Sequence, residues 1–493
     1  MRQNESAALP RLSEMKHIVT FTLLLWSVVC WTSGLSADVP PRQFRAGATT
    51  SNITPDLGVV LDGAIMQIGP GKHVHDELHA RCLVLDDGTT RVAFAVCDLT
   101  MIETGVVEHA KRLLETATGL APDHVLIAAT HTHSAPRAMD LGQGDANRQY
   151  HEFLARRIAD GIHRAINQLA PAKIGWGSGQ KPEYVFNRRW FVKQGLEPPN
   201  PFGGKPDEVA TNPPPTSIIK PAGPVDPEVF VLSVQHADGR PMALLANYGL
   251  HYVGGLPSGH ISADYFGVFA DRIEQLLGAD RQDPPFVGIM SNGTSGDVNN
   301  VDLRNALRPR PSDAWRREVA DGVAQEALRV ARSIKHQVWA PLAARAVVLK
   351  LAVRRPDDAR LQWAREISAK AKPDQRMSRP AIYAREATQL AWYPPIVPIT
   401  LQAFRVGDLG IGAAPCEVFA ETGLAVKKQS PFEATFIVEL ANGYGGYLPT
   451  PEQHGLGGYE TWPARSSFLE VGAEPKIRAG ILELLQYLKE VAK

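Results

Sequence analysis

Two rhythms of apolar residues run along the chain. Short runs that are apolar almost without a break read as strands buried on both faces, and longer stretches with apolar residues three and four apart read as helices. Strands are predicted from Arg45 to Thr50, His79 to Leu85 and Arg91 to Cys97, the last two joined through Asp86-Asp87-Gly88. Helical spacing near Gly105 to Thr118 stops at Gly119, and Val125 to Ala129 is a short buried strand. A long helix from Tyr150 to Leu169 leads to a strand from Lys173 to Gly177. Pro198 to Pro224 is rich in Pro and Gly and reads as loop. Val229 to Gln235 and Pro241 to Tyr248 pair as a hairpin about Asp238-Gly239. A helix from Tyr265 to Leu277, a strand from Phe286 to Met290, a helix from Ala314 to Lys335 and a strand from Ala344 to Val353 follow. Helices occupy much of Asp357 to Gln389, then strands near Ile399 to Val406, Leu409 to Ala413 and Thr435 to Leu440, and a last helix from Pro475 to Val491. Hairpins interrupt the alternation of strand and helix. The expected fold is therefore α/β, a mixed β-sheet core flanked by helices, rather than a uniform βαβ series. No internal repeat and no clean linker divides residues 38–493, so one large domain is expected there.

Composition changes this picture in two places. Lys+Arg and Asp+Glu both number 52, so the formal net charge is zero. The basic excess that grips nucleic acid is missing, so a nucleic-acid partner is not expected. The run Ile18 to Trp31 is apolar but shorter than the roughly 20 residues that span a bilayer. Arg2, Arg11 and Lys16 precede it, and small residues ending at Ala37 follow. That is the pattern of a signal peptide over residues 1–37, with export after cleavage near Ala37; the alternative is an N-terminal anchor. Cys30 falls inside this segment, and Cys82, Cys97 and Cys416 contain no C-x-x-C pair.

The candidate chemistry lies at the ends of predicted strands. Thr130-His131-Thr132-His133-Ser134 follows the strand VLIAA. In extended backbone, residues two apart share a face, so His131 and His133 can point into one cavity. Imidazole suits zinc. His251 follows the strand ending at Tyr248, and Glu417 follows the strand ending at Ala413. Tyr444 stands among glycines in Ala441-Asn442-Gly443-Tyr444-Gly445-Gly446-Tyr447. Ser291 to Asn300 is a polar turn whose N–H groups suit an oxyanion. Other readings are Asp98 as a carboxylate behind a ligand and His260 with Asp264 as holders of a second ion. His73, His75 and His79 read as loop and strand-edge residues.

The order and context of these pieces resemble the N-terminal catalytic domain of the neutral/alkaline non-lysosomal ceramidases, zinc amidases that cleave ceramide to sphingosine and fatty acid. Thr130 to Ser134 matches the family's T-H-T-H-S. Ile53-Thr54-Pro55, Asn187-Arg188, Asn247 to His251, Ile261 to Asp264, Gly296-Asp297-Val298, Asn442 to Tyr447 and Tyr459-Glu460 match further motifs in the family's order. The resemblance implies a zinc ion held by His131, His251, Glu417 and Tyr444, with His133 beside it and Arg188 on a substrate oxygen or bound anion. It also places Asn299 where the family has its nucleophilic serine, and the family's β-sandwich domain is not expected within this sequence, which runs to Lys493. An amide side chain cannot replace an alkoxide. The expectation is thus a secreted Zn2+-dependent hydrolase of an amide or ester bond that uses activated water. His133 or Asp297 would take the proton, and Asn299 would bind the oxyanion. The alternative is a catalytically silent binding protein that keeps the pocket.

Overall fold

The computed structural model describes residues 42–61, 69–136, 138–139, 146–305, 312–370 and 377–491. The expected signal segment lies outside them. A large sheet contains β1 (Arg45–Asn52), β2 (His79–Asp86), β3 (Arg91–Cys97), β4 (Val125–Ala129), β5 (Ala170–Gln180), β6 (Glu228–His236), β7 (Pro241–Tyr248) and β8 (Val287–Asn292). Its order is β8-β7-β6-β5-β1-β2-β3-β4. β7 with β8 and β3 with β4 are parallel, and the pairs between them are antiparallel. A second sheet has the order β9 (Leu342–Ala352), β10 (Ile396–Val406), β11 (Leu409–Ala413), β12 (Ala434–Val438), with β11 and β12 parallel. The mixed α/β architecture is the one expected.

Period-two alternation explains why the strands read as unbroken apolar runs. In β3, Val92, Phe94 and Val96 join a core shared with the second sheet, while Ala93, Ala95 and Cys97 join a core under the helices α1 (Thr104–Thr118) and α2 (Ala146–Asn167). In β6, Phe230, Leu232 and Val234 face the second sheet, whereas Val229 and Val231 face α3 (Asp264–Leu277) and α4 (Ser312–Ser333). Rings meet across the two sheets, Phe94 on Phe404 at 4.9 Å and Phe230 on Phe436 at 4.8 Å. After the hairpin of α5 (Asp358–Ala369) and α6 (Arg379–Leu390) come α7 (Ala420–Gln429) and α8 (Ala473–Val491). Ile477, Ile481 and Leu485 of α8 pack on the outer face of the second sheet. The layers are thus helix, sheet, sheet, helix.

Two expectations change. The strand expected at Lys173 to Gly177 is longer, because β5 pairs with β6 from Ala172 to Gln180. The expected loop from Pro198 to Pro224 contains the strands Val209–Thr211 and Ile218–Pro221, which flank Arg189–Val192 in a small sheet. Pairing across the small sheet, not local apolar rhythm, makes these short segments extended.

Six strand-to-strand steps separate β4 from β7. At about 4.8 Å each, a flat sheet would hold them about 29 Å apart. The ends of β4 and β7 nevertheless deliver side chains to one point. The sheet's twist coils its two edges together. Residues 439–442 tie both: Glu439 N donates to Asn292 O at the end of β8, and Asn442 N to Ile127 O in β4.

Candidate active site

His131 follows β4 in a left-handed conformation, φ 75°, which a residue with a Cβ adopts only under constraint. The constraint is visible. His131 N donates to Leu99 O at 2.8 Å, and its ring Nδ1 donates to Thr100 O at 2.7 Å. His251, just past β7, has Nδ1 3.1 Å from Ser295 O. With both Nδ1 protons given to carbonyls, both Nε2 atoms present lone pairs, and they lie 2.9 Å apart. The ring nitrogens of His131, His133 and His251 converge, with His133 Nε2 3.2 Å from His131 Nε2.

Glu417 closes the group. Its Oε2 is 3.3 Å from His131 Nε2 and 3.7 Å from His251 Nε2, and it is buried with no hydrogen-bond partner. Facing lone pairs beside an unpartnered carboxylate oxygen are costly in a buried place. They are what a dication needs, so this donor set fits one metal ion, with nitrogen and oxygen ligands of the type zinc takes. Tyr444 donates to the other oxygen, Oε1, at 2.9 Å. Its hydroxyl is thus tied directly to the carboxylate that stands beside the imidazole nitrogens.

The surroundings hold these groups still. Arg188 donates from Nε to Glu460 Oε1 at 2.8 Å and from Nη2 to Gly296 O at 2.8 Å, leaving Nη1 3.2 Å from His251 Nε2. Burial works against the Arg188 charge, but Tyr447, Glu460 and Glu417 outweigh it and hold the guanidinium protonated. Burial pushes the His133 and His251 imidazoles well below their ordinary value, with His131 and Arg188 adding to the effect. His133 is half-buried and stacks on Tyr252, rings 4.0 Å apart and 13° from parallel. Burial also pushes the Glu439 carboxyl well above its ordinary value, although it accepts from Ser295 Oγ, Ser295 N and Val418 N.

Four sequence candidates are held by partners of their own. Asp297 accepts from Asn187 Nδ2 at 2.7 Å and from Ala420 N at 2.8 Å, so both its oxygens brace the scaffold. Asn299 pairs with Phe186 in a two-residue strand, donates to Asn212 Oδ1 at 2.5 Å, and accepts from Val301 N at 3.0 Å. Asp264 accepts from the N–H groups of Val253, Gly254 and Tyr265, so both its oxygens are engaged by backbone. Asp98 binds Arg81 and His79 N rather than any of the four site residues. Sequence reasoning missed Glu439, Tyr447 and Tyr252. Tyr447 was within reach, since it belongs to the same tyrosine-glycine turn as Tyr444; Glu439 ends a plain strand and carries no signal.

A large mixed sheet that gathers imidazole and carboxylate groups at its strand ends defines an α/β domain with a candidate metal centre. The family model of neutral/alkaline non-lysosomal ceramidase, N-terminal, matches residues 44–305, more than half of the chain. The chain belongs to that family. The neutral ceramidase of Pseudomonas aeruginosa is 24% identical over an alignment that covers 89% of this chain and 72% of that protein. The crystal structure of the Pseudomonas aeruginosa neutral ceramidase superposes with a TM-score of 0.68 at 19% identity, covering 91% of this chain and 75% of the other. A solved ceramidase complexed with C2 also gives 0.68 at 19% identity. Among the described residues no helix is long and apolar enough to cross a membrane.

Proposed function

We propose that this chain is an exported, zinc-dependent hydrolase that cleaves an amide bond, and by the same chemistry an ester, in a lipid-like substrate. The observation that carries the reading is the convergence of His131 Nε2, His251 Nε2 and the unpartnered Glu417 Oε2 in a chain of the ceramidase family. The P. aeruginosa relative is a ceramidase, which favours a sphingolipid-like amide. His131, His251 and Glu417 would hold the ion, with Tyr444, whose hydroxyl donates to Glu417 Oε1, as the fourth ligand. When bound, zinc supplies Lewis acidity and makes water a nucleophile near neutral pH. His133, half-buried and next to His131, would serve as the group that accepts a proton from the attacking water and hands one to the leaving amine. Arg188 orients the substrate carbonyl through an N–H of Nη1, since Nε and Nη2 face Glu460 and Gly296 and the other Nη1 proton faces His251 Nε2. Asn299 has one N–H on Asn212 and offers the second to the developing oxyanion. Asp297 serves as a brace rather than a base.

The test is a panel of N-acyl amides, N-acyl sphingosines included, and matching esters, run on the untagged zinc-loaded chain. Hydrolysis should be lost in His251→Ala with the bound zinc, and should fall by about 10²–10³-fold in Asn299→Ala. Unchanged turnover in Asn299→Ala would remove the oxyanion role. A zinc-loaded wild type that turns over nothing but binds N-acyl sphingosine would establish the silent binding protein instead.

A further inference from the structure

A second group of imidazoles lies away from the centre just described. His73–Val74 and His260–Ile261 form a two-stranded parallel pair in which His73 is in register with His260. In-register neighbours put their side chains on one face, and His75, two residues on from His73, falls on the same face. The pairing is fixed by backbone bonds: Lys72 N donates to Gly259 O at 2.7 Å and His75 N to Ile261 O at 2.9 Å. Three imidazoles therefore gather by construction. The His73 and His260 ring centres are 4.8 Å apart, those of His75 and His260 6.0 Å, and one nitrogen from each ring lies within 4.8 Å of the others.

An independent observation points to a ligand. His260 Nδ1 is buried and has no hydrogen-bond partner. The charges around the group cancel. Arg316 binds Asp76 Oδ2 and Asp313 Oδ1, each at 2.8 Å, and Arg317 binds Asp313 Oδ2 at 2.9 Å. His75 Nε2 accepts from Arg316 at 2.9 Å and lies 3.6 Å from Asp313 Oδ1. For His75 to ligate through Nδ1, the Arg316 N–H must therefore turn away from Nε2 to its carboxylate partners, after which the Nε2 proton faces Asp313 Oδ1, a support typical of metal-bound imidazoles.

We infer that His73, His75 and His260 form a second cation site, for a transition-metal dication such as Zn2+. Asp264, which the sequence paired with His260, is not a ligand, because its oxygens serve backbone N–H groups. The site is structural. Ser262, two residues past His260, donates from N to Ser134 O and accepts at its carbonyl from Thr132 Oγ1, each at 2.8 Å. An ion on His260 thus steadies the segment on which the loop of His131 and His133 hangs.

The test is zinc stoichiometry by elemental mass spectrometry on the untagged, metal-stripped full chain after equilibration with buffered zinc. Two ions per chain are expected in the wild type and one in His73→Asn/His260→Asn. His73 is exposed, so the single variant His73→Asn folds and should already weaken the second site at least tenfold. A wild-type count that neither variant lowers, whether one or two, overturns the site. Loss of the only zinc in His73→Asn/His260→Asn would support this site while refuting the metal reading of His131 and His251.

Discussion

The hydroxyl of Ser295 donates to Glu439 Oε1 at 2.5 Å and stands 3.5 Å from His251 Nδ1. The converging lone pairs are on Nε2, across the ring. Ser295 thus cannot supply the nucleophile that Asn299 lacks. Ser295→Ala should lower kcat by less than tenfold, whereas loss of a true nucleophile costs about 10⁶-fold; steady-state kinetics on the best amide of the panel decides. Asp297 makes a different prediction. Burial pushes its carboxyl up to about 6 from an ordinary 3.8. The folded chain holds this proton more tightly than the unfolded chain, so ionised Asp297 costs stability above pH 6, by about 3 kcal/mol at most. That cost is relieved as pH falls from about 6 towards 4. Relative to Asp297→Asn, which does not titrate, the wild type should gain stability over this window in denaturant unfolding. A pH-independent difference would refute it. His131, His251 and Glu417 were legible in the sequence because each follows a recognisable strand. The bracing role of Asp297 was not, since its partners Asn187 and Ala420 are 110 and 123 residues away.

Glu417 reaches the centre because one turn lies against its backbone. Gly296 N donates to Val418 O at 2.8 Å, and a Cβ on Gly296 would stand 2.5 Å from Glu417 O and 2.8 Å from Glu417 C. Only glycine permits that approach. The carbonyl of Gly296 also receives Arg188 Nη2. Gly296→Ala must therefore move the Glu417 strand, the Arg188 guanidinium or both. It should cost about 1–3 kcal/mol in unfolding and weaken zinc binding at the His131 centre by tenfold or more. Wild-type zinc affinity in this variant would show that the close approach does not position Glu417. Most strands and helices were legible from apolar rhythm, within a few residues at their ends. The pairs His73–Val74 with His260–Ile261, and Phe186–Asn187 with Val298–Asn299, were not. Two-residue strands have no period of their own, and partners distant in the chain define them.

At the scale of the molecule, the candidate centre exists only where the coiled sheet brings its edges together. No short segment contains it: His131, His251 and Glu417 come from three distant parts of the chain and both sheets. That convergence was hidden from the sequence, because periodicity gives the faces of a strand but neither the strand order nor the coil. It has a thermodynamic consequence. An unfolded chain cannot present these donors at spacings near 3 Å, so zinc binds the native state almost alone, and mass action stabilises that state by about 4 kcal/mol when free zinc is a thousandfold above Kd. The second histidine group would add to this, so the prediction is made for His73→Asn/His260→Asn, where only the His131 centre remains. Zinc added to this metal-stripped variant should raise Tm by several degrees, and adding His131→Ala and His251→Ala should abolish the shift. A shift that survives those changes would place the stabilising ion elsewhere. No shift, with zinc demonstrably bound, would mean that the unfolded chain binds the ion as tightly and that the folded centre gives it no preference.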